Sequence, residues 1–168
     1  SEKIALSIPD TGGVYLVPAF VGLGSPYWNM DARGLMCGIT RGTNQSHIVR
    51  AALESIAFQV KDLIDSIQSD LNLPLNELKV DGGAANNNFL MQFQADILGF
   101  NINKPKNIET TATGAAYLAG LSTGFWETYE DLNSAREIDK IYKPNMNEDE
   151  KQKIWSGWKN AINRTINI

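Results

Sequence analysis

The sequence predicts an α/β fold in which a mixed sheet packs against helices. From Leu35 onward, segments rich in β-forming residues alternate with segments whose apolar residues have helical spacing. The chain has 168 residues, of which 43% are hydrophobic, and this suits one globular domain with a sizeable core. The first two predicted strands have no helix between them, so the order is not purely β–α–β. We therefore expect a mixed sheet that is incomplete on the side preceding Ser1.

The first forty residues predict two strands joined by a long loop. Residues 14–20 are apolar and rich in β-formers, and residues 35–40 form a second, shorter run of the same kind. Residues 21–34 between them are rich in glycine, proline and aromatic residues, which is typical of a loop.

A long helix is predicted next. Asn44 or Ser46 can cap its start. Apolar residues then recur at helical spacing over about five turns. These are Ile48, Ala52, Ile56, Val60, Ile64 and Ile67. Residues 71–74, which end in proline, break the pattern.

The second half of the chain alternates between strands and helices. The predicted strands cover residues 77–81, 100–104 and, as an edge strand, 138–142. The predicted helices cover residues 87–98, 113–121 and 148–166. Gly99 and Gly124 follow the first two of these helices, as glycine often does at helix ends. Acidic residues in the first turn of the last helix suit its dipole.

The most informative stretch is residues 80–90, with the sequence VDGGAANNNFL. Its order indicates a strand, a tight glycine turn and a capped helix start. Gly82 and Gly83 carry no Cβ, so a ligand can approach their backbone closely. A helix start adds unpaired N–H groups and the positive end of a dipole. A nucleotide is the predicted ligand, and a plain strand–helix turn is the alternative.

A second stretch, residues 111–120, is a helix start built from small residues. Thr113 is the predicted cap. Gly114, Ala115, Ala116 and Ala119 would let another element pack very close. Tight core packing is the favoured interpretation, and a sliding contact at a domain seam is the alternative.

The polar side chains do not form a complete acid–base or nucleophile set, so no catalytic residue is assigned. Arg50 and Glu54 are expected to form an ion pair on a solvated helix face. His47 is the only histidine, and it is expected to be structural, because no cysteine or second histidine could complete a metal site with it. Three helical carboxylates are also expected on solvated faces: Asp62, Asp65 and Asp96. The tryptophans are expected to serve packing.

Composition excludes several classes of protein. The net charge is −4 and no stripe of lysine and arginine is present, so a nucleic-acid partner is not expected. No run reaches the length of a transmembrane helix. The first residues lack the apolar region of a signal peptide, and the sequence begins with Ser1 instead of methionine, which indicates a processed or truncated start. The single cysteine, Cys37, is expected to be a buried, inert thiol in a reducing compartment.

Eight segments of the sequence, in consistent order, carry a resemblance to a known family. They are residues 14–20, 22–28, 32–34, 38–42, 52–57, 81–84, 87–94 and 114–120. The Asp-Gly-Gly motif at residues 81–83 alone would indicate only the wider carbohydrate kinase family. The Gly-Leu-Gly-Ser-Pro-Tyr-Trp loop at residues 22–28, together with Thr-Arg-Gly at residues 40–42, narrows the resemblance to the glycerol kinase family.

The resemblance implies an actin-like, ribonuclease H-like fold of two domains with ATP and Mg²⁺ in the cleft between them. Residues 1–168 would be the C-terminal portion of the second, nucleotide-binding domain. By the match, Gly82, Gly83 and Ala84 would line the adenosine side and Asn87 would hydrogen-bond to the nucleotide. The helix that carries Gly114, Ala115 and Ala116 would lie at the hinge between the domains.

The resemblance also implies an activity, the phosphorylation of glycerol to glycerol 3-phosphate by a cytoplasmic, homo-oligomeric parent enzyme. The N-terminal domain is missing, and its phosphate-binding loop would lie outside this sequence. The second phosphate segment, the glycerol pocket, the catalytic aspartate and the Mg²⁺ ligands would also lie outside it. The isolated chain is therefore expected to be inactive. Two alternatives stay open, namely a kinase for another polyol or sugar and a non-catalytic nucleotide-binding domain.

Overall fold

The computed structural model describes residues 1–135 and 137–167 and confirms the predicted α/β class. The strands are β1 (Tyr15–Val17), β2 (Leu35–Cys37), β3 (Glu77–Lys79), β4 (Asn101–Pro105) and β5 (Ile138–Tyr142). The helices are α1 (Glu2–Ala5), α2 (Gln45–Leu71), α3 (Asn88–Leu98), α4 (Thr110–Ser122), α5 (Tyr129–Ala135) and α6 (Glu148–Ile166). Every predicted strand and helix is present, although the first three strands are shorter than expected. The short helices α1 and α5 were not predicted.

The strands form two separate sheets. β1 and β2 pair antiparallel, with Leu16 opposite Met36. In the second sheet, β4 lies between β3 and β5, parallel to β3 and antiparallel to β5. The predicted mixed sheet is therefore confirmed. Among the described residues β3 pairs only with β4. Its other edge can therefore pair with further strands, as expected from the prediction of an incomplete sheet.

Helix α2 begins at a complete capping box. The Asn44 side chain accepts hydrogen bonds from the backbone N–H groups of Ser46 and His47, and the His47 ring accepts one from the Asn44 N–H at 3.2 Å. These contacts satisfy donors that a helix start leaves unpaired. They confirm Asn44 as the cap and His47 as a structural residue. The helix ends at Asn72, which adopts the left-handed conformation.

The core is centred on Phe58, in the middle of α2. Its ring stacks on Trp158 of α6 at 5.0 Å and meets Phe93 of α3 edge-on at 5.4 Å. Helix α2 thus packs between α3 on one side and β1 with α6 on the other. The predicted apolar stripe is out of phase, because the buried face runs through Phe58 and leaves Ile56 exposed. Trp158 confirms the packing role of tryptophan, whereas Trp28 is exposed.

The prediction that Asp62 is solvated is wrong. Its carboxylate is buried and accepts hydrogen bonds from the Tyr27 hydroxyl at 2.6 Å, Trp158 Nε1 at 2.7 Å and Lys159 Nζ at 2.9 Å. The reason is its position one helical turn beyond Phe58, on the core face of α2. Asp62 therefore ties the loop after β1 to both α2 and α6. Asp65 and Asp96 are half-buried, and Cys37 is half-buried instead of buried.

Candidate nucleotide-binding site

The glycine turn after β3 is held from two sides. The Val80 N–H donates to the Asn103 carbonyl at 3.1 Å, which extends the pairing with β4 beyond the strand itself. The Gly82 N–H donates to the Ile108 carbonyl at 3.0 Å, in the segment just before α4. A 3₁₀ turn, Gly83–Asn86, follows. The backbone of the turn is therefore fixed without help from a ligand.

The backbone of the turn requires glycine at residue 82 but not at residue 83. Gly82 has φ +75°, a backbone conformation that residues other than glycine rarely adopt. Gly83 has no such constraint, and a Cβ built on it would meet no atom within 4 Å. The chain itself therefore gives no reason for glycine at residue 83. A ligand that lies against this backbone would give one.

The start of α3 differs from the prediction. The 3₁₀ turn separates the glycines from α3, which begins at Asn88. The Asn87 Oδ1 accepts from the Leu90 N–H at 3.0 Å, and the Asn88 N–H donates to Glu2 at 3.2 Å. A cap and a carboxylate thus already occupy the donors that would attract an anion. The predicted cap is present, but two of the predicted unpaired donors have partners, so a neutral part of a ligand suits this place better than a phosphate.

Asn87 keeps one group for a ligand. Its Oδ1 caps α3, whereas its Nδ2 has, among the residues that the structure describes, only a contact of 3.5 Å with the Ser1 hydroxyl. An amide nitrogen carries two N–H donors. Asn87 can therefore donate to a ligand without giving up its cap.

Helix α4 begins beside the same turn. The Thr110 hydroxyl donates a short hydrogen bond to the Asp81 carboxylate. The predicted cap Thr113 lies one turn inside the helix, where its hydroxyl donates to the Glu109 carbonyl at 2.9 Å. The helix starts earlier than predicted because Asn107 accepts the Glu109 N–H and so begins the turn. The two predicted groups, residues 82–87 and the α4 start, thus share one end of the molecule.

Tight packing of the small residues in α4 is not what the chain shows. None of the residues of α4, all of which the structure describes, is buried. Ala115 and Ala116 are exposed, and a Cβ on Gly114 would meet no atom within 4 Å. Only Gly120 is crowded, against the Trp126 ring. The prediction of core packing is therefore wrong within this chain, and the small-residue face is free.

Sequence reasoning also misjudged the environment of Arg50 and Glu54. The ion pair forms, with Arg50 Nε 2.8 Å from Glu54 Oε1, but Glu54 is buried instead of solvated. The Arg50 guanidinium also donates to the Ile8 carbonyl and lies over the Phe89 ring at 4.9 Å. Both side chains line a cavity of about 480 Å³ that residues 9–13 border. The residues next to Glu54 in the sequence could not indicate its burial, because the segment that covers it lies some forty residues earlier in the chain.

Glu54 predicts a pH-dependent stability. Burial raises the pKa of Glu54 to about 7, although the hydrogen bond and charge of Arg50 oppose the rise. A carboxyl whose pKa is raised by folding stabilises the fold below its unfolded pKa, and this contribution is lost as the pH rises through 7. We expect this group to lower the free energy of unfolding by up to about 3 kcal/mol between pH 5 and pH 8.

The measurement is urea unfolding at several pH values for the wild type and for Glu54→Gln, which cannot titrate. The gap between the two unfolding free energies should change across this range. Asp65→Asn, at a half-exposed ion pair, is the matched control. Parallel profiles for the wild type and Glu54→Gln would contradict the prediction.

Residues 1–135 and 137–167 contain no group of three histidine, cysteine, aspartate or glutamate side chains that could hold a metal ion. No helix in these ranges has the length and apolar character needed to cross a membrane.

Comparison with known proteins identifies the fold and the family. The profile of the C-terminal domain of the FGGY family of carbohydrate kinases matches residues 2–123. Glycerol kinase from Caldanaerobacter subterraneus is 55% identical over 99% of this chain, and that from Desulfitobacterium hafniense is 56% identical over 99%. The predicted resemblance is confirmed. The chain spans about a third of the length of these relatives.

Solved structures agree with this result. The structure of Plasmodium falciparum glycerol kinase with ADP superposes with a TM-score of 0.90 at 40% identity, over 98% of this chain and 33% of that one. Gluconate kinase from Lactobacillus acidophilus superposes with a TM-score of 0.81 at 24% identity, over 96% of this chain and 33% of that one, and shows the shared fold. The predicted actin-like fold class is confirmed. On the match over residues 2–123, this chain belongs to the FGGY family of carbohydrate kinases, as part of its C-terminal domain.

Proposed function

We propose that this chain is the C-terminal portion of the second, nucleotide-binding domain of an ATP-dependent glycerol kinase. The observation that carries the proposal is an identity of 52–56% with proteins named glycerol kinase over nearly the whole chain. The gluconate and xylulose kinases of Lactobacillus acidophilus share only 24% with it. This difference favours glycerol over another sugar or polyol as the substrate of the parent enzyme.

The part that this chain plays is the adenosine-side wall of the ATP site. Gly83 and Ala84 are exposed, and the open space above Gly82 and Gly83 admits the flat face of a nucleoside. Asn87 Nδ2 supplies a donor. The solved Plasmodium relative that holds ADP supports this assignment.

Phosphoryl transfer needs more than this wall. It depends on positioning and on charges that stabilise the transferred group. The wall offers uncharged contacts, and two of the N–H donors at the start of α3 already have partners. We assign Mg²⁺, the phosphate-binding groups and the glycerol pocket to the two thirds of the parent that lie outside this sequence. The isolated chain should therefore bind nucleotide without turning it over.

Helix α4 is proposed as the contact with the other domain. Its small residues Gly114, Ala115 and Ala116 allow a second backbone to approach closely, because the two alanines are exposed and a Cβ on Gly114 would meet no atom within 4 Å. The hydrogen bond between Thr110 and Asp81 links this helix to the nucleotide wall. A movement of the other domain against α4 would then be transmitted through this hydrogen bond to the turn that contacts the nucleotide. Because the reaction consumes ATP, we place the parent enzyme in the cytoplasm.

The test is a substrate panel on the longer protein that carries this chain. ADP release is followed with glycerol, xylulose and gluconate as acceptors, and with this chain alone as a second sample. We expect glycerol to give the highest kcat/KM and the isolated chain to give none. A higher kcat/KM for xylulose or gluconate would mean that glycerol is not the preferred substrate. An absence of phosphorylation with every acceptor would mean that the parent is a non-catalytic nucleotide-binding protein.

Removal of the link between α4 and the wall should weaken nucleotide binding. In Thr110→Val the Asp81 carboxylate loses its partner while size and branching are kept. We expect the Kd for MgADP to rise by about three- to tenfold, the usual range for one hydrogen bond. Calorimetric titration measures it, with Thr111→Val as the same change at the adjacent exposed residue. Equal Kd values for MgADP in Thr110→Val and Thr111→Val would contradict a role of the Thr110–Asp81 hydrogen bond in nucleotide binding.

A further inference from the structure

The first residue of α3, Asn88, has a side chain that is held at both ends. Its Nδ2 donates to the Glu2 carboxylate of α1 at 3.1 Å, and its Oδ1 accepts from the Tyr142 hydroxyl at the end of β5 at 2.7 Å. The backbone N–H of Asn88 also donates to Glu2, at 3.2 Å. Three hydrogen bonds thus fix one residue beside the nucleotide wall. We call Glu2, Asn88 and Tyr142 the Asn88 network.

The chemistry of the two partners determines how the Asn88 amide is oriented. An ionised carboxylate only accepts hydrogen bonds, so the amide nitrogen faces Glu2. The amide oxygen then faces Tyr142, whose hydroxyl has to donate. Tyr142 is buried, and burial raises the pKa of its hydroxyl, so it keeps the proton that it donates. The Asn88 network therefore has one arrangement of donors and acceptors, which joins α1, α3 and β5.

The preceding residue, Asn87, uses all but one of its hydrogen-bonding groups within the chain. Its N–H donates to the Ala84 carbonyl at 3.1 Å, and its carbonyl accepts from the Met91 N–H at 3.0 Å. Its Oδ1 caps α3 through the Leu90 N–H. Within the described ranges, its Nδ2 alone has no partner closer than 3.5 Å. This nitrogen is the donor that the proposed function assigns to the nucleotide.

The Asn88 network is more than the start of α3 itself requires. One side-chain cap is enough to begin a helix, and Asn87 supplies it. Asn88 adds links to Glu2 and Tyr142, which are 86 and 54 residues away in the sequence. Because Asn87 and Asn88 share a peptide group, these links also hold the backbone from which the Asn87 amide projects. A side chain that is already ordered costs less to immobilise when a ligand binds.

We propose that Glu2 and Tyr142 are positioning residues for nucleotide binding, which act through Asn88 on the Asn87 amide. The proposal rests on the proposed function, because it concerns the same nucleotide wall. Neither side chain has to touch the nucleotide. When either is removed, Asn88 is free to turn, and the nucleotide itself has to order Asn87. Ordering one side chain corresponds to about a three- to tenfold rise in the Kd for MgADP.

The test is calorimetric titration of MgADP into the longer protein that carries this chain. Tyr142→Phe removes one oxygen atom and releases Asn88 Oδ1. Tyr15→Phe is the matched control, because its hydroxyl donates to the Ile154 carbonyl on the side of α2 that faces away from α3. Each variant loses one hydrogen bond and should lower the melting temperature. We expect Tyr142→Phe and Glu2→Ala to raise the Kd about three- to tenfold, and Tyr15→Phe to leave it unchanged.

A double-mutant cycle separates positioning from a general loss of structure. Asn87→Ser keeps a helix cap of similar strength and removes the amide donor. It should raise the Kd for MgADP by itself. Addition of Tyr142→Phe to Asn87→Ser should then change the Kd by less than about twofold, because the group that Tyr142 positions is gone. A purely structural effect of Tyr142→Phe would instead appear in full in both backgrounds.

The outcomes distinguish this proposal from the proposed function. If Asn87→Ser weakens binding but Tyr142→Phe binds MgADP as tightly as Tyr15→Phe, the nucleotide wall stands and the positioning role is overturned. Full additivity in the cycle would also overturn that role alone. If the wild type does not bind MgADP, or if Asn87→Ser binds it as tightly as the wild type, the assignment of Asn87 to the nucleotide fails and the positioning role fails with it.

Discussion

Replacement of Gly83 by arginine should abolish nucleotide binding and leave the fold intact. A Cβ at this residue meets no atom within 4 Å, and the backbone does not need the left-handed conformation. The arginine side chain therefore has room in the free protein, but it fills the space proposed for the nucleoside. We expect the Kd for MgADP to rise at least about 100-fold, equivalent to ~2.7 kcal/mol, with no fall in the melting temperature.

The controls separate a loss of the site from a loss of the fold. Gly83→Ala adds one methyl group, so it should weaken binding less than Gly83→Arg and also leave the melting temperature unchanged. Gly82→Ala should lower the melting temperature, because Gly82 has φ +75°. If Gly83→Arg binds MgADP as tightly as the wild type in calorimetric titration, the nucleotide does not lie against this backbone. An absence of binding by the wild-type chain would instead mean that the wall needs the missing segments.

The sequence could predict features that depend on neighbouring residues in the chain. The Asn44 cap, the end of α3 at Gly99 and the glycine turn at residues 82 and 83 all follow from local backbone chemistry, and the structure contains each of them. Periodicity located the helices because their apolar faces must meet the core. Periodicity could not predict which face of α2 is buried, because aliphatic residues lie on two sides of that helix. The buried face is the one that carries Phe58 into the core.

Features that depend on distant residues could not be predicted. Asp62 is buried because Tyr27 and Trp158, which are 35 and 96 residues away, supply its hydrogen bonds. Glu54 is buried by a segment near the start of the chain. For both carboxylates the local pattern showed only an acid on a helix, which is normally solvated. The one available signal for Asp62 was its place one turn beyond Phe58, on the core face.

The same distant contacts make Asp62 the side chain whose loss should cost the most stability. Asp62→Ala would leave Trp158 Nε1 buried without an acceptor and would release Tyr27 and Lys159 from the carboxylate. Burial and the Asp62 carboxylate raise the pKa of the Tyr27 hydroxyl, so it stays protonated as a donor. Loss of one member of a buried, charged network costs about 3–5 kcal/mol, and we expect a decrease of this size in the free energy of unfolding.

Asp65→Ala provides the comparison, because it removes the same group one turn away on the same helix. Asp65 pairs with Lys61 at 2.9 Å, but its side chain is 42% exposed, so its removal should cost less than about 1 kcal/mol. Urea unfolding of the two variants at pH 7 measures both values. Equal and small losses would mean that water replaces the partners of Asp62 without penalty. A large loss for Asp62→Ala alone would show that the carboxylate holds the loop after β1 against α2 and α6.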